Sequence, residues 1–494
     1  MNRKTRIIFR ADGNSRIGLG HVMRSLALAH MLRRDYECVF AIQSPDQVLQ
    51  ERIREVCDGI IVLPPAEPDV DRFVHELDAY ISAEEIVVLD GYTFGTVYQQ
   101  NIKSRGAALV CIDDIHAYTF VSDVVINPAG GVSDERYQTA PYTRLLLGPH
   151  YALLRPVFLR AAKAARAIPE GELRVLVCMG GADPDNHTWQ SLEEMQAIPA
   201  VKHIEIVVGS AYSHSSELKQ YLKKYPQAKL HRDLSAESLR RLMAECQAAV
   251  TSASGISYEY AAVGGILFVK QTADNQAGMH QFLTSTGIAR DYSSLSQVLQ
   301  AGISEREFES QLTIQRQHFD GKSPERLLEM FQSLGLTTQL KLRKAIPEDL
   351  HLLFDWANDP EVRRHSFNPE PIPLEDHTRW FQAKLDNPDA ILYLAEADGK
   401  PAAHIRFDIH DNTATISYLI GADYRGKGLG HTVLLKGIQQ LMQDRPDVQL
   451  VAGLVEQQNK ASVRSFEKAG FAYGEADPAH PKAFRFVWQP TASA

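Results

Sequence analysis

The chain has 494 residues, 44% of them hydrophobic and 23% charged, with a formal net charge of -9. That length predicts about three cores rather than one, and the composition is that of a globular protein with ample apolar surface to bury. Lys+Arg against Asp+Glu stands at 34 to 40 through residue 340 and 18 to 21 beyond it, so the excess is shared as -6 and -3, and neither part has the basic face of a nucleic-acid or acidic-membrane binder.

From residue 6 to 147 continuously apolar runs alternate with helical patterns: Ile7 to Phe9, Cys38 to Ala41, Ile60 to Leu63, Ile86 to Leu89, Ala108 to Ile112, Val124 to Ile126 and Leu145 to Leu147. Strands covered on both faces read this way, which predicts a doubly wound parallel sheet. Several runs stop at polar residues, among them Asp12, Asp90, Tyr92, Asp113, Asp114 and Asn127. The carboxyl ends of parallel strands are where such sheets bind ligands, although a lone Asp there serves equally well as a helix cap.

The charged segment Lys163 to Glu172 reads as a linker, after which the pattern restarts with Arg174 to Cys178, Ile204 to Val208, Ala248 to Val250 and Ile266 to Val269. A second α/β domain is expected, with a ligand cleft between the two. Around Ser333 to Gln339 a Gly and two Thr interrupt the rhythm, and a third pattern begins, α+β in order. Its helices are expected near Pro347 to Asn358, Leu374 to Asn387, Gly428 to Met442 and Ala461 to Ala469, with strands at Ile391 to Ala397, Ala402 to Ile409, Thr413 to Ile420 and Val448 to Val455. The domains expected are 1–162, 172–335 and 340–494.

The five cysteines, Cys38, Cys57, Cys111, Cys178 and Cys246, are odd in number, widely spaced and without a Cys-x-x-Cys pair. They predict reduced, buried thiols in a cytoplasmic protein, with no disulfide framework and no metal site. The apolar run behind the basic start ends at Phe9, too short for a signal peptide, and no stretch has the length of a membrane span. Small molecules are the expected partners, with self-association left open.

Three stretches carry chemistry. Gly18-Leu19-Gly20-His21-Val22-Met23-Arg24 follows the first strand and opens a helix. Its glycines let backbone approach a ligand, and the helix start offers unpaired N–H groups to an anion. His21 beside them is either an inert loop residue or a base. In the second domain Gly180-Gly181 follows a strand, and Thr251 to Glu259 leads through Ser254 and Gly255 into a helix. That helix start suits a diphosphate, and Glu259 one turn in suits a ribose diol; a serine-rich cap with an acidic first turn explains the same residues. Asn275 and Gln276 add amides able to read hydroxyl or acetamido groups. In the third domain Tyr424-Arg425-Gly426-Lys427-Gly428-Leu429-Gly430 joins a strand to a helix, where successive backbone N–H groups can wrap a pyrophosphate.

Gly18-x-Gly20-His21-x-x-Arg24 together with Ser254 to Glu259 resembles the UDP-2,4-diacetamido-2,4,6-trideoxy-β-L-altropyranose hydrolases of pseudaminic acid biosynthesis, which have two Rossmann-like domains in GT-B architecture. The resemblance implies that Gly18, Gly20, Arg24, Asp12, Gly180, Gly181, Ser254, Gly255, Glu259, Asn275 and Gln276 bind the UDP-sugar, and that His21 and Tyr92 are catalytic. The chemistry agrees. A UDP leaving group is stable as an anion, so helix N-termini can replace the acid that glycosidases need. One neutral imidazole then suffices to deprotonate water in a single inverting displacement.

The Arg425 to Gly430 loop, with Asn459 to Ser462 and Phe466 to Phe471, resembles the GNAT acetyltransferases over Leu342 to Trp488. Acetyl-CoA is the co-substrate this implies, held by Leu419, Ile420, Arg425, Gly426, Lys427, Gly428, Leu429, Gly430, Asn459, Ser462 and Phe466. Many members carry a tyrosine acid where this chain has Phe466, so that acid is missing here; Glu456 and His404 are the candidate bases. The two resemblances together imply consecutive steps. The 4-amine of UDP-4-amino-4,6-dideoxy-N-acetyl-β-L-altrosamine would be acetylated, then UDP removed from the product, giving a precursor of a sugar that decorates flagellin or surface polysaccharide. The competing readings of the N-terminal part are a glycosyltransferase and a nucleotide-sugar-binding module without chemistry.

Overall fold

The structure, a computed structural model, describes residues 4–13, 19–65, 70–181 and 183–490. Its first sheet holds β1 (Arg6–Ala11), β2 (Glu37–Gln43), β3 (Gly59–Leu63), β4 (Ile86–Asp90), β5 (Ala108–Ile112), β6 (Val124–Asn127) and β7 (Arg144–Leu147). All are parallel, in the order β3-β2-β1-β4-β5-β6-β7. Each apolar run of the first 150 residues lies in one of these strands, and the inner strands β1, β2, β4, β5 and β6 are covered on both faces. Ile7, Phe9, Phe40 and Val88 pack into one buried layer, and Ile8, Ala41, Val87 and Leu89 into the other. The order reverses between β1 and β4, which leaves a crevice beyond their carboxyl ends.

The second sheet is also parallel, with β8 (Leu173–Cys178), β9 (Val201–Val208), β10 (Ala228–Arg232), β11 (Ala248–Ser252), β12 (Ile266–Lys270) and β13 (Arg290–Asp291) in the order β10-β9-β8-β11-β12-β13. Strands β10 and β13 form its edges, and neither shows as an apolar run: one alternates polar with apolar residues and the other is two residues long. The reversal here falls between β8 and β11, beyond which lie Gly180-Gly181 and Ser252 to Gly255. The halves meet where the Gly130 N–H donates to Tyr258 Oη at 3.0 Å. A Cβ on Gly130 would stand 2.1 Å from the Phe282 ring, so only glycine allows this approach. The segment read as a linker is held down by Arg166, whose guanidinium donates to the carbonyls of Gly264, Ala244 and Cys246.

The interruption read at Ser333 to Gln339 is no break in structure. One helix runs Ser323–Gln339. Leu327, Met330, Phe331 and Leu334 enter the core of the first sheet. Thr337 and Thr338 turn their hydroxyls back onto the carbonyls of Leu334 and Gly335, which satisfies them inside the helix. Only Leu340 separates this helix from the third sheet.

That sheet contains β14 (Lys341–Lys344), β15 (Ala390–Ala397), β16 (Lys400–His410), β17 (Thr413–Ile420), β18 (Leu450–Glu456), β19 (Ala472–Tyr473) and β20 (Ala483–Trp488), in the order β14-β15-β16-β17-β18-β20-β19. Neighbours are antiparallel except β17 and β18. These two run parallel and pair only over Thr413–Thr415 with Leu450–Ala452, after which they part. All five cysteines are buried free thiols. Among the described residues no helix is long and apolar enough to cross a membrane, and no group of three or more His, Cys, Asp or Glu is placed to hold a metal ion.

Candidate functional site

At the first crevice β4 ends in Asp90, whose side chain is fully buried. The helix Gly20–Leu32 brings His21, Arg24 and Ser25 onto it. His21 Nδ1 lies 2.7 Å from Asp90 Oδ1, Arg24 donates to both carboxylate oxygens through Nε and Nη2, and the Ser25 hydroxyl donates to Oδ2. A carboxylate only accepts, so the contact puts a proton on Nδ1 and leaves the lone pair on Nε2. Arg24 Nη2 also stands 3.1 Å from Nδ1, a nitrogen that has no lone pair to give in this tautomer. The second arm of Arg24 reaches Asp114 at 2.8 Å. Burial pulls the guanidinium pKa down, and Asp90 and Asp114 overcome it, so the group stays cationic. Tyr92 sets its ring edge-on to His21 at 4.7 Å, and burial and Asp114 raise its pKa and keep its hydroxyl protonated. Asp114 Oδ1 is buried with no hydrogen-bond partner among the described residues.

Not every residue expected here is free to bind. Gly18 lies outside the described residues, and Gly20 begins the helix. Asp12 is engaged within the fold, accepting from the Gln43 N–H and pairing with the buried Arg10. Across the second crevice Gly180 and Gly181 follow β8; Gly181 packs closely on Gly209, and Gly180 faces the Ser252 hydroxyl. Ser254 caps the helix Gly255–Val263, its hydroxyl tied to that of Ser252 at 2.9 Å. Glu259 is gripped bidentately by Arg155, both bonds 2.7 Å. Burial raises the carboxyl pKa and Arg155 opposes the rise. Gln276 accepts from the Thr272 N–H and hydroxyl, leaving its amide nitrogen to a ligand, and Asn275 is exposed beside it.

The third sheet carries a cavity of about 2090 Å³ that enters the wedge between β17 and β18. Leu419 and Ile420 line it past the point where β17 loses its partner, and Glu456 lines it from the end of β18. The loop below is held firmly. Gly426 and Gly428 both take φ of +75°, Arg425 is fastened to the Ile420 carbonyl and to Asp359, and the Lys427 carbonyl accepts from Ser333. Gly428 then caps the helix Leu429–Asp444, with Leu429 and Gly430 in its first turn. Asn459 caps the helix Lys460–Lys468 through Oδ1 to the Ser462 N–H. The Ser462 hydroxyl meets Tyr418 Oη at 3.3 Å, and the buried Phe466 packs on the Tyr418 ring. Glu456 accepts from Gln458 and faces the cavity.

His404 is different in kind. Burial first, then Arg406 and His377, push its pKa down to about 3, so it is neutral in the fold and a weak acceptor for a proton. Among the described residues its Nε2 is buried without a hydrogen-bond partner, as are Arg363 Nε, His365 Nδ1, His377 Nδ1 and Arg406 Nε, the last 3.9 Å from Asp408, all on residues lining the cavity. Buried donors without acceptors mark the place of a polar ligand rich in oxygen.

Asp90, Asp114, Arg155 and Tyr418 were not among the site residues read from sequence. Asp90 and Asp114 stood only as polar strand ends; Arg155 and Tyr418 carry no local signal at all, since their partners lie on remote elements.

Residues 339–472 match the family model described as Acetyltransferase (GNAT) domain, so the chain carries that domain at its C-terminal end. An uncharacterized protein of Methanocaldococcus jannaschii is 23% identical over 489 residues, covering 93% of this chain and 95% of that protein. The UDP-2,4-diacetamido-2,4,6-trideoxy-β-L-altropyranose hydrolase of Campylobacter jejuni is 27% identical over 260 residues, covering 51% of this chain and 87% of its own length. Among solved structures, an aminoglycoside acetyltransferase AAC(6')-Ib in complex with coenzyme A aligns at 21% identity over 30% of this chain and 94% of that one, with a TM-score of 0.28.

Proposed function

We propose that the protein is bifunctional, its C-terminal domain acetylating the 4-amine of UDP-4-amino-4,6-dideoxy-N-acetyl-β-L-altrosamine with acetyl-CoA and its N-terminal half hydrolysing the UDP-diacetamido sugar so formed. The observation that carries the hydrolytic half is the contact of buried Asp90 with His21 Nδ1, in a chain similar to a hydrolase of that sugar. Asp90 fixes the tautomer, and Nε2 takes a proton from water as the water oxygen bonds to the anomeric carbon. The bond from that carbon to the diphosphate oxygen breaks and its electron pair leaves with UDP. The start of the helix Gly255–Val263 takes up the developing charge, while Glu259, oriented by Arg155, accepts from the ribose hydroxyls. Tyr92 and Asp114 face the same place and orient water or sugar.

In the acetyltransferase half the amide N–H groups of Arg425 to Gly430 receive the diphosphate of acetyl-CoA, and the parted ends of β17 and β18 take the thioester arm. Glu456 accepts the proton of the substrate ammonium. The amine nitrogen bonds to the thioester carbonyl carbon, and the carbon–sulfur bond breaks with its electron pair going to sulfur. With Phe466 unable to donate a proton, the second proton shed by the attacking nitrogen passes through water to the thiolate, while neutral His404 serves as a donor to substrate rather than as a base.

Mass spectrometry of a mixture of the UDP-4-amino sugar, acetyl-CoA and protein tests the reading. It expects gain of one acetyl group, then release of UDP and free sugar without any acceptor. Release that requires an added acceptor makes the N-terminal half a glycosyltransferase, and no release makes it a binding module.

A further inference from the structure

The acetyl-CoA cavity is not walled by the third domain alone. Lys4, Asp123, Tyr142 and Arg144 of the first domain line it, as does the helix Ser323–Gln339 from Glu329 onward. Arg144 opens β7, the edge strand of the first sheet. Across from it stand Arg464 and Lys468 of the helix Lys460–Lys468, also in the lining. Asp123, whose carbonyl accepts from the Arg144 N–H, has its carboxylate occupied by Lys103 at 2.7 Å and by the Leu109 N–H. None of Arg144, Arg464 and Lys468 is ion-paired with an acid among the described residues, and the three are close enough that Arg144 and Arg464 add to burial in depressing the ammonium of Lys468. Three cations gathered from two domains on one cavity wall repel one another, and an anion relieves that repulsion.

The direction of the ligand follows from its two anchors. The thioester end enters the wedge between β17 and β18, and the diphosphate sits at the start of the helix Leu429–Asp444. The remainder of an extended molecule must leave the loop away from the wedge. His431, in the first turn of that helix, also lines the cavity, and Asp123, Lys468 and Lys103 are the charges within its reach.

We propose that the first domain completes the coenzyme site, Arg144 joining Arg464 and Lys468 to bind the 3′-phosphate on the adenosine end of acetyl-CoA. This rests on the reading of Arg425 to Gly430 as the diphosphate loop. Bound coenzyme then bridges the two halves of the chain, and each half contributes to its affinity.

Calorimetric titration of the full chain with CoA and with 3′-dephospho-CoA tests it. One charge-assisted phosphate contact corresponds to roughly a tenfold change in Kd. The wild type is expected to bind CoA about tenfold more tightly than the dephospho form, and Arg144→Ala to lose most of that preference by weakening CoA alone. Lys468→Met should act in the same direction, and an unchanged thermal melt of Arg144→Ala, an exposed position, shows that the fold is intact. Equal binding of the two ligands by the wild type, or equal weakening of both by Arg144→Ala, overturns the inference and leaves the diphosphate loop standing. Failure of both ligands to bind the wild type overturns the loop reading itself, and this inference with it.

Discussion

At Asp90 one buried carboxylate serves His21, Arg24 and Ser25 together, and each contact constrains the others. His21→Gln keeps the size of the side chain and removes the base, so UDP release should fall by at least about a hundredfold with the melt unchanged. Asp90→Asn should lower kcat and stability together, because the carboxamide cannot accept from all three donors and leaves the Arg24 guanidinium short of charge. A variant that lost stability yet kept full turnover would separate the structural role of Asp90 from the chemical one. That His21 and Arg24 share one face of a helix was legible, because three positions separate them. Their partner was not, since the pairings span 69 and 66 residues, and the Arg155 to Glu259 pair spans 104. Glu259 was visible as an acid near a helix start, but its bidentate clamp was not.

His404 makes a pH prediction of known sign. The imidazole has an ordinary value of 6.5 and about 3 in the fold, so between these the unfolded chain binds a proton that the folded chain refuses. Its contribution is therefore complete above pH 6.5 and is lost as pH falls toward 3. Melting temperatures of wild type and His404→Asn should converge on acidification over that window. Parallel curves would contradict the assignment, in which Arg406, His377 and Asp349 are the charged or titratable neighbours.

At the scale of elements, the reading from sequence succeeded where burial is two-sided and failed where packing overrides composition. The central strands of the two parallel sheets carry continuous apolar runs and announce themselves. The charged edge strand β14 and the alternating β10 do not. The helix Ser323–Gln339 misled for a different reason: Gly335 and two Thr look like a stop, yet Gly335 sits against Tyr36 and the threonines satisfy themselves. That helix packs on the first sheet although it follows the second in sequence, a relation no local pattern encodes. Phe331→Ala within it should cost about 3–5 kcal/mol in urea unfolding, the loss expected for a fully buried ring. A cost below about 1 kcal/mol would mean that the helix is not part of the core. The wedge between β17 and β18 was equally invisible, because it depends on pairing that stops after three residues.

At the scale of the whole molecule, the third domain shares surface with the first, through Ser333 on the Lys427 carbonyl and through Lys341 near Glu84. Saturating CoA should therefore slow amide hydrogen exchange at β6 and β7 as well as around Gly426 to Gly430. Protection confined to residues beyond 340 would show that the domains respond independently. The Rossmann-like and acetyltransferase character of the parts was legible in the chain. Their mutual placement was not, since it rests on side chains from exposed edges that carry no pattern of their own.

The continuous helix that ends at Gln339, one residue short of β14, bears on the supply of the two activities rather than on either mechanism. With its apolar face sunk in the first core and no slack between it and the third sheet, it offers a protease no open link at which to divide the protein. The halves are then made and degraded one for one, and a cell cannot adjust acetylation against hydrolysis through enzyme abundance. On the proposed reading of two consecutive steps, any imbalance between them has to be carried by their turnover numbers, and the size of the standing pool of acetylated intermediate would report the ratio of those two rates.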